Sequence, residues 1–286
     1  FQEAGLPKDV INLVFGVPHE ISDYLLSREE VKKVSFTGSV PVGKLLARKS
    51  AETLKRCTLE LGGHSPAIIA EDADIETTLD TLTGFKFRNA GQVCIAPSRF
   101  YVHESIYDEV RDGFLSRIKK INLGNGLNEG VTMGPLSNSR RIDAMKDFID
   151  DAVKNGSNLI HGGNRHKDKG FFWEPTLIEN INEEAKMMTE EIFGPILALF
   201  KFTDYDDVIE KANSLNYGLA SYVYTTSKAL QEKMAREIIA GGVSINTASP
   251  MHPEIPYGGI KESGIGYEGG IDAIYSFLHK KNINIV

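Results

Sequence analysis

Two periodicities alternate along this chain. Short apolar runs bounded by glycine or proline mark strands, and apolar residues recurring every three or four positions mark helices. The run Val10-Ile11-Asn12-Leu13-Val14-Phe15-Gly16 predicts a buried strand, followed by a helix over 20–26. A strand at 33–37, a helix over 42–54 and a strand at 56–59 come next, the last ended by Gly62-Gly63. Residues 66–70 read as a strand and 72–89 as a helix, with Leu79, Leu82 and Phe85 on one face and Gly91 as its stop. Further strands are predicted at 99–102, 158–161, 196–200, 221–224 and 243–246. Helices are predicted over 106–121, 139–155, 183–188, 206–215 and 229–239, and the glycine-rich stretch 123–136 reads as a loop. Strands alternating with helices predict an α/β fold. The last residues, 281–286, alternate polar and apolar like an edge strand, which invites pairing with a second chain.

Composition narrows the function classes. A chain of 286 residues can bury a large core and hold one or two domains. With 41% hydrophobic and 25% charged residues it reads as an ordinary globular protein. A net charge of −7 argues against nucleic acid, which demands a concentrated basic face. Lys32-Lys33 and Lys119-Lys120 are short pairs and make no such face. No apolar run approaches the roughly 18 residues of a transmembrane helix. Two cysteines without metal-ligand spacing point to a reducing cytoplasm and to no metal site. The opening Phe1-Gln2-Glu3-Ala4-Gly5 lacks the basic start and apolar core of a secretory signal. It reads instead as a helix's last turn, closed by Gly5 and Pro7, so a preceding segment is expected.

Three stretches carry chemistry. Cys94 follows the helix stop at Gly91 and sits on a turn, where a substrate can approach it. Glu60 stands at the carboxyl end of a strand, where open α/β sheets place their ligands. A thiol nucleophile and a carboxylate base, both at element ends beside glycine, form a nucleophilic-catalysis constellation. The turn Phe36-Thr37-Gly38-Ser39 opens a helix and suits phosphate, through free N–H groups and the helix dipole. Without a GxGxxG pattern it is equally a plain N-cap turn. Cys57, inside a strand, reads as structural.

The runs Leu59-Glu60-Leu61-Gly62-Gly63 and Asn89-Ala90-Gly91-Gln92-Val93-Cys94, in this order and spacing, resemble the glutamate and cysteine motifs of the aldehyde dehydrogenase superfamily. The resemblance covers the whole chain. It implies an α/β fold with the remainder of a Rossmann-like cofactor domain at 1–62, a catalytic domain at 63–266, and a return segment and oligomerisation strand at 267–286. It implies Cys94 as nucleophile, Glu60 as base, and NAD or NADP as cofactor. Gly38, Ser39 and Leu61 would line the cofactor, Glu191 would meet its ribose hydroxyls, and Phe193 would wall the nicotinamide. Glu268 aligns with a glutamate implicated in proton relay. A homodimer or homotetramer follows from the family's last strand.

Within the superfamily, Phe87-Arg88-Asn89-Ala90-Gly91-Gln92 and Tyr267-Glu268-Gly269-Gly270 look most like succinate-semialdehyde and 2-oxoglutarate-semialdehyde dehydrogenases. In that branch an arginine placed like Arg88 helps to hold the substrate carboxylate. Two departures stand out: Ala96 replaces a second cysteine, and His252 or a neighbour stands where some members have a substrate-binding serine. Family members carry a longer leading segment, which holds a second oxyanion donor and the residues selecting NAD or NADP. Other aldehyde specificities, a thiol hydrolase and a catalytically silent member of the fold remain as alternatives. A hydrolase would want a histidine beside the thiol, and none of the seven falls in such a motif.

Overall fold

Two sheets organise the chain, and the catalytic candidates fall where the ends of one meet the ends of the other. The computed structural model describes every residue except Gln2, Asp168, Pro250 and Met251. Helix α1 (Pro18–Ser27) precedes strand β1 (Lys33–Thr37), helix α2 (Val40–Ala51), strands β2 (Arg56–Glu60) and β3 (Pro66–Ile69), and helix α3 (Ile75–Phe87). Then come β4 (Arg99–His103), α4 (Tyr107–Ile118), α5 (Ser139–Lys154), β5 (Asn158–His161), β6 (Thr176–Glu179) and β7 (Ile196–Phe202). The chain continues through α6 (Tyr205–Asn213), β8 (Ala220–Tyr224), α7 (Lys228–Glu237), β9 (Gly242–Ile245), β10 (Gly264–Ile265) and α8 (Gly270–Tyr275).

Among the described residues, β1, β2 and β10 form a small sheet, with β1 and β2 parallel and β10 antiparallel to β2. The larger sheet runs β5-β6-β7-β4-β3-β8-β9 and is parallel except at β5. Its central strands β3 and β8 are buried at every position, as a parallel sheet covered on both faces requires. Leu79, Leu82, Val110, Phe114 and Met145 cover one face from α3, α4 and α5. Val208, Ile209 and Met234 cover the other from α6 and α7. Asp74 caps α3, its carboxylate accepting the Thr77 N–H at 3.1 Å. No helix among the described residues is long and apolar enough to cross a membrane.

Four expectations change. Residues 10–16 form no strand: Val10, Leu13 and Phe15 lie exposed, because a strand needs a neighbour for its backbone groups and none lies alongside among the described residues. The helix predicted over 183–188 shrinks to one 3₁₀ turn, Lys186–Met188. Asn182 causes this: its side chain accepts the Glu184 N–H at 2.9 Å and its carbonyl the Ala185 N–H at 3.0 Å, a turn that competes with helix. Strand β6 was not predicted, being four residues long between Pro175 and Asn180. Finally, 281–286 forms no strand in the single chain. Arg56 anchors the segment just before it, donating to the Leu278 carbonyl at 2.6 Å.

Candidate active site

Helix α3 ends at Phe87, two residues short of the predicted Asn89. After Phe87 the backbone enters positive φ at Asn89, Ala90 and Gly91 (53°, 53° and 71°), which breaks the helix and swings the chain back toward the small sheet. Gly91 is required twice: its φ suits glycine, and a Cβ would stand 2.2 Å from the Gly194 carbonyl oxygen. Asn89 and Gln92 brace the turn reciprocally, each side-chain amide donating to the other's carbonyl at 3.0 Å. Gln92 then accepts the Ser137 N–H at 2.9 Å, stapling the turn to the loop before α5. Cys94 sits on the next turn, ahead of β4.

Strand β2 delivers Glu60 from the opposite side. The Gly38 N–H donates to the Glu60 carbonyl at 3.0 Å, tying the turn after β1 to the end of β2. Ser263, fully buried, donates to the Gly62 carbonyl at 2.8 Å, so the tail loop grips the same strand end. A Cβ on Gly63 would lie 2.5 Å from the Cys94 carbonyl oxygen; glycine thus lets the two motifs touch.

Between them lies a cleft of about 640 Å³, set between the carboxyl ends of β1 and β2 and the amino ends of β4 and β7. Cys94, Glu60, Gly38, Ser39, Leu61, Glu191 and Phe193 all line it. Arg88, His252 and Glu268 do not. Arg88 is exposed at the end of α3, with its guanidinium 5.0 Å from the centre of the Phe85 ring. His252 is exposed in a loop, where its carbonyl accepts the Ile255 N–H at 3.2 Å. Glu268 is also exposed, although its charge acts on Glu60.

Burial in the cleft disfavours the ionised forms of its own acidic groups. Burial, then the charge of Glu268, pushes the Glu60 carboxyl up to about 8, and neither of its oxygens has a hydrogen-bond partner among the described residues. Burial also raises the Cys94 thiol, with Glu191 and Glu60 adding to it and the Tyr257 hydroxyl, 3.7 Å from the sulfur, working the other way. Glu191 is raised by burial but eased by the Gly63 N–H at 3.1 Å and by Arg141. Raised carboxyl and thiol groups sharing one cleft make it a candidate chemical site.

His64 is held neutral, pushed down to about 3 by burial and by Arg99, with Nε2 bonded to the Met187 carbonyl at 2.9 Å. Among the described residues no histidine hydrogen-bonds Cys94. Two contributors were missed from sequence. Tyr257 lies far along the chain in a glycine-rich loop, and its place before Gly258-Gly259 was the available signal. Arg141, in the first turn of α5, donates to the Phe193 carbonyl at 3.1 Å, and no local motif marks it.

The residues present fit a dinucleotide. Ser39 opens the twelve-residue helix α2 and its hydroxyl makes no capping bond. The Glu191 carboxylate spends one oxygen on Gly63 and leaves Oε2 without a partner among the described residues, so it can accept from a hydroxyl.

Known proteins resemble this chain. The aldehyde dehydrogenase family model matches residues 1–283. Succinate semialdehyde dehydrogenase of Acinetobacter baylyi is 40% identical over 279 residues, 98% of this chain and 58% of that protein. 3-Sulfolactaldehyde dehydrogenase of Pseudomonas putida is 38% identical over 282 residues, 99% of this chain and 58% of that protein. The crystal structure of an E. coli NADP dependent enzyme superposes with a TM-score of 0.95 at 37% identity, covering 97% of this chain and 58% of that one. The chain thus spans somewhat over half the length of these relatives. Matched along nearly its whole length by the family model and by these relatives, the chain belongs to the aldehyde dehydrogenase family.

Proposed function

We propose that this protein carries the thiol and base machinery of an NAD(P)-dependent oxidation of an aldehyde to its carboxylic acid. The observation that carries the reading is the shared cleft of Cys94 and Glu60, whose walls Gly62 and Gly63 allow to approach closely. The Cys94 sulfur attacks the aldehyde carbon and holds it as a thiohemiacetal. The developing oxyanion accepts from the Cys94 backbone N–H. When bound, NAD(P)⁺ takes the hydride that leaves the carbon. Gly38, Ser39, Leu61, Glu191 and Phe193 would hold it. Glu60 then removes a proton from water, whose oxygen hydrolyses the Cys94 thioester. Its high proton affinity, centred near 8, suits a base working close to neutral pH. Glu268, which bears on Glu60 electrostatically, is the group through which that proton leaves.

The substrate is an acidic semialdehyde such as succinate semialdehyde, with Arg88 gripping its carboxylate and His252 near it. The relatives support an anionic aldehyde: one name carries a carboxylate aldehyde and another a sulfonate aldehyde. A 2-oxoglutarate-semialdehyde specificity keeps the same chemistry. Residues 1–62 serve as the last part of the cofactor domain, 63–266 as the catalytic domain and 267–286 as the segment that joins subunits in a cytoplasmic homodimer or homotetramer. Incubating the protein with succinate semialdehyde and NAD⁺ or NADP⁺ tests the reading. Reduced nicotinamide and an acyl mass on Cys94 are expected. Hydrolysis of a thiol ester without cofactor reduction would favour a thiol hydrolase.

A further inference from the structure

Tyr257 brings a hydroxyl to the nucleophile from a backbone that is fixed on both sides. Its N–H donates to the Glu268 carbonyl and its carbonyl accepts the Glu268 N–H, both at 2.7 Å. The next residue is packed as tightly, since a Cβ on Gly258 would stand 2.4 Å from the Gly266 carbonyl oxygen. The ring is half-buried against the edge of the main core, and the hydroxyl oxygen ends 3.7 Å from Cys94 Sγ, within reach of a sulfur hydrogen bond. A flexible side chain would lose rotamer freedom in making such a contact; this one is delivered already ordered.

The titratable groups facing the sulfur are the Tyr257 hydroxyl, the carboxylates of Glu60 and Glu191, and the buried Tyr222 phenol. Two of the four are carboxylates and disfavour a thiolate. Tyr222 is committed elsewhere, donating to the Ile95 carbonyl at 2.7 Å. No lysine, arginine or histidine among the described residues contacts the sulfur. Among the described residues, Tyr257 is the side chain that hydrogen-bonds the sulfur.

We infer that Tyr257 is the positioning residue of the nucleophile, its hydroxyl donating to the Cys94 sulfur and holding the ionised form in the cleft. The inference rests on the reading of Cys94 as nucleophile. The phenol keeps its proton throughout, since burial and the neighbouring sulfur hold its pKa above the ordinary range. The thiol proton passes to water or to Glu60, whose carboxylate accepts it.

Alkylation of the protein with iodoacetamide across pH tests this without substrate or cofactor. Peptide masses assign the label to Cys94 or Cys57. Tyr257→Phe removes the hydroxyl and keeps the ring. A lost hydrogen bond to a charged group should move the midpoint of Cys94 alkylation up by about one to two pH units. The rate at pH 7 should fall by about tenfold or more. A role in packing alone would change the unfolding temperature and leave that midpoint in place. An unmoved midpoint with Cys94 still reactive overturns the inference while sparing the nucleophile. Label on Cys57 in the parent protein with none on Cys94 overturns both.

Discussion

The Gly63 amide donates to the Glu191 carboxylate at 3.1 Å, joining the glycine pair after β2 to the stretch before β7. The bond fixes a half-buried carboxylate across from the thiol turn, and it depends on the residue before it. A Cβ on Gly62 would stand 2.5 Å from Glu191 Oε2.

Gly62→Ala should therefore push the Glu191 side chain aside and break its bond to Gly63. In the proposed role Glu191 accepts from the cofactor ribose. Losing that charged hydrogen bond costs about 1.5–3 kcal/mol, or about 10- to 100-fold in cofactor affinity. Steady-state kinetics should show a raised KM for NAD(P)⁺, while alkylation of Cys94 stays as in the parent. An unchanged KM would take Glu191 away from the cofactor.

How much of this was legible in sequence depends on whether the cause is local. Cys94 and Glu60 were legible because glycines punctuate their strand and helix ends, and punctuation is written in neighbouring residues. Strands β3, β4 and β8 were equally plain, each an apolar run long enough to cross the sheet. Tyr257 and Arg141 were not, because their tasks are set by chain segments far away in sequence. Residues 10–16 misled for the same reason in reverse: an apolar run states what a segment would bury, and only a neighbouring strand makes it a strand.

Glu60 makes a pH prediction with a definite sign. Its carboxyl rises from 4.5 to about 8 on folding, so the folded chain binds the proton more tightly than the unfolded one. Between those values rising pH weakens the fold, by at most about 1.4 kcal/mol per pH unit. Glu60→Gln removes this cost. Its stability relative to the parent should grow from pH 4.5 to 8 and stay flat above, as chemical denaturation at several pH values would report. The same variant should give a burst of reduced cofactor followed by slow turnover. Steady turnover equal to the parent's would remove Glu60 from the base role.

Lys86 predicts the opposite slope. It is 1% exposed on α3, and burial pushes its ammonium down from 10.5 to about 7. Below pH 7 both states carry the proton and the full desolvation cost is present; between pH 7 and 10.5 only the unfolded chain does, so stability rises with pH. Lys86→Met should be more stable than the parent at pH 6, with the gap closing toward pH 10.5. A gap independent of pH would show that the ammonium is not desolvated in the fold.

Arg88 carries the prediction about selectivity. It lies at the end of the helix that delivers the thiol, stacked over Phe85, whose ring meets Tyr222 edge-on at 5.6 Å. No acidic side chain among the described residues pairs with it, so its fork of donors is open to a carboxylate from outside. A cation at a helix carboxyl terminus is also favoured by the dipole, and that alone would explain an arginine here. The two roles separate by substrate. A hydrogen bond to a charged group contributes about 1.5–3 kcal/mol. Arg88→Ala should thus lower kcat/KM for succinate semialdehyde by about 10- to 100-fold. An uncharged aldehyde of similar length should be nearly unaffected. If both substrates lose equally, Arg88 supports the turn that carries Cys94 and does not read the substrate.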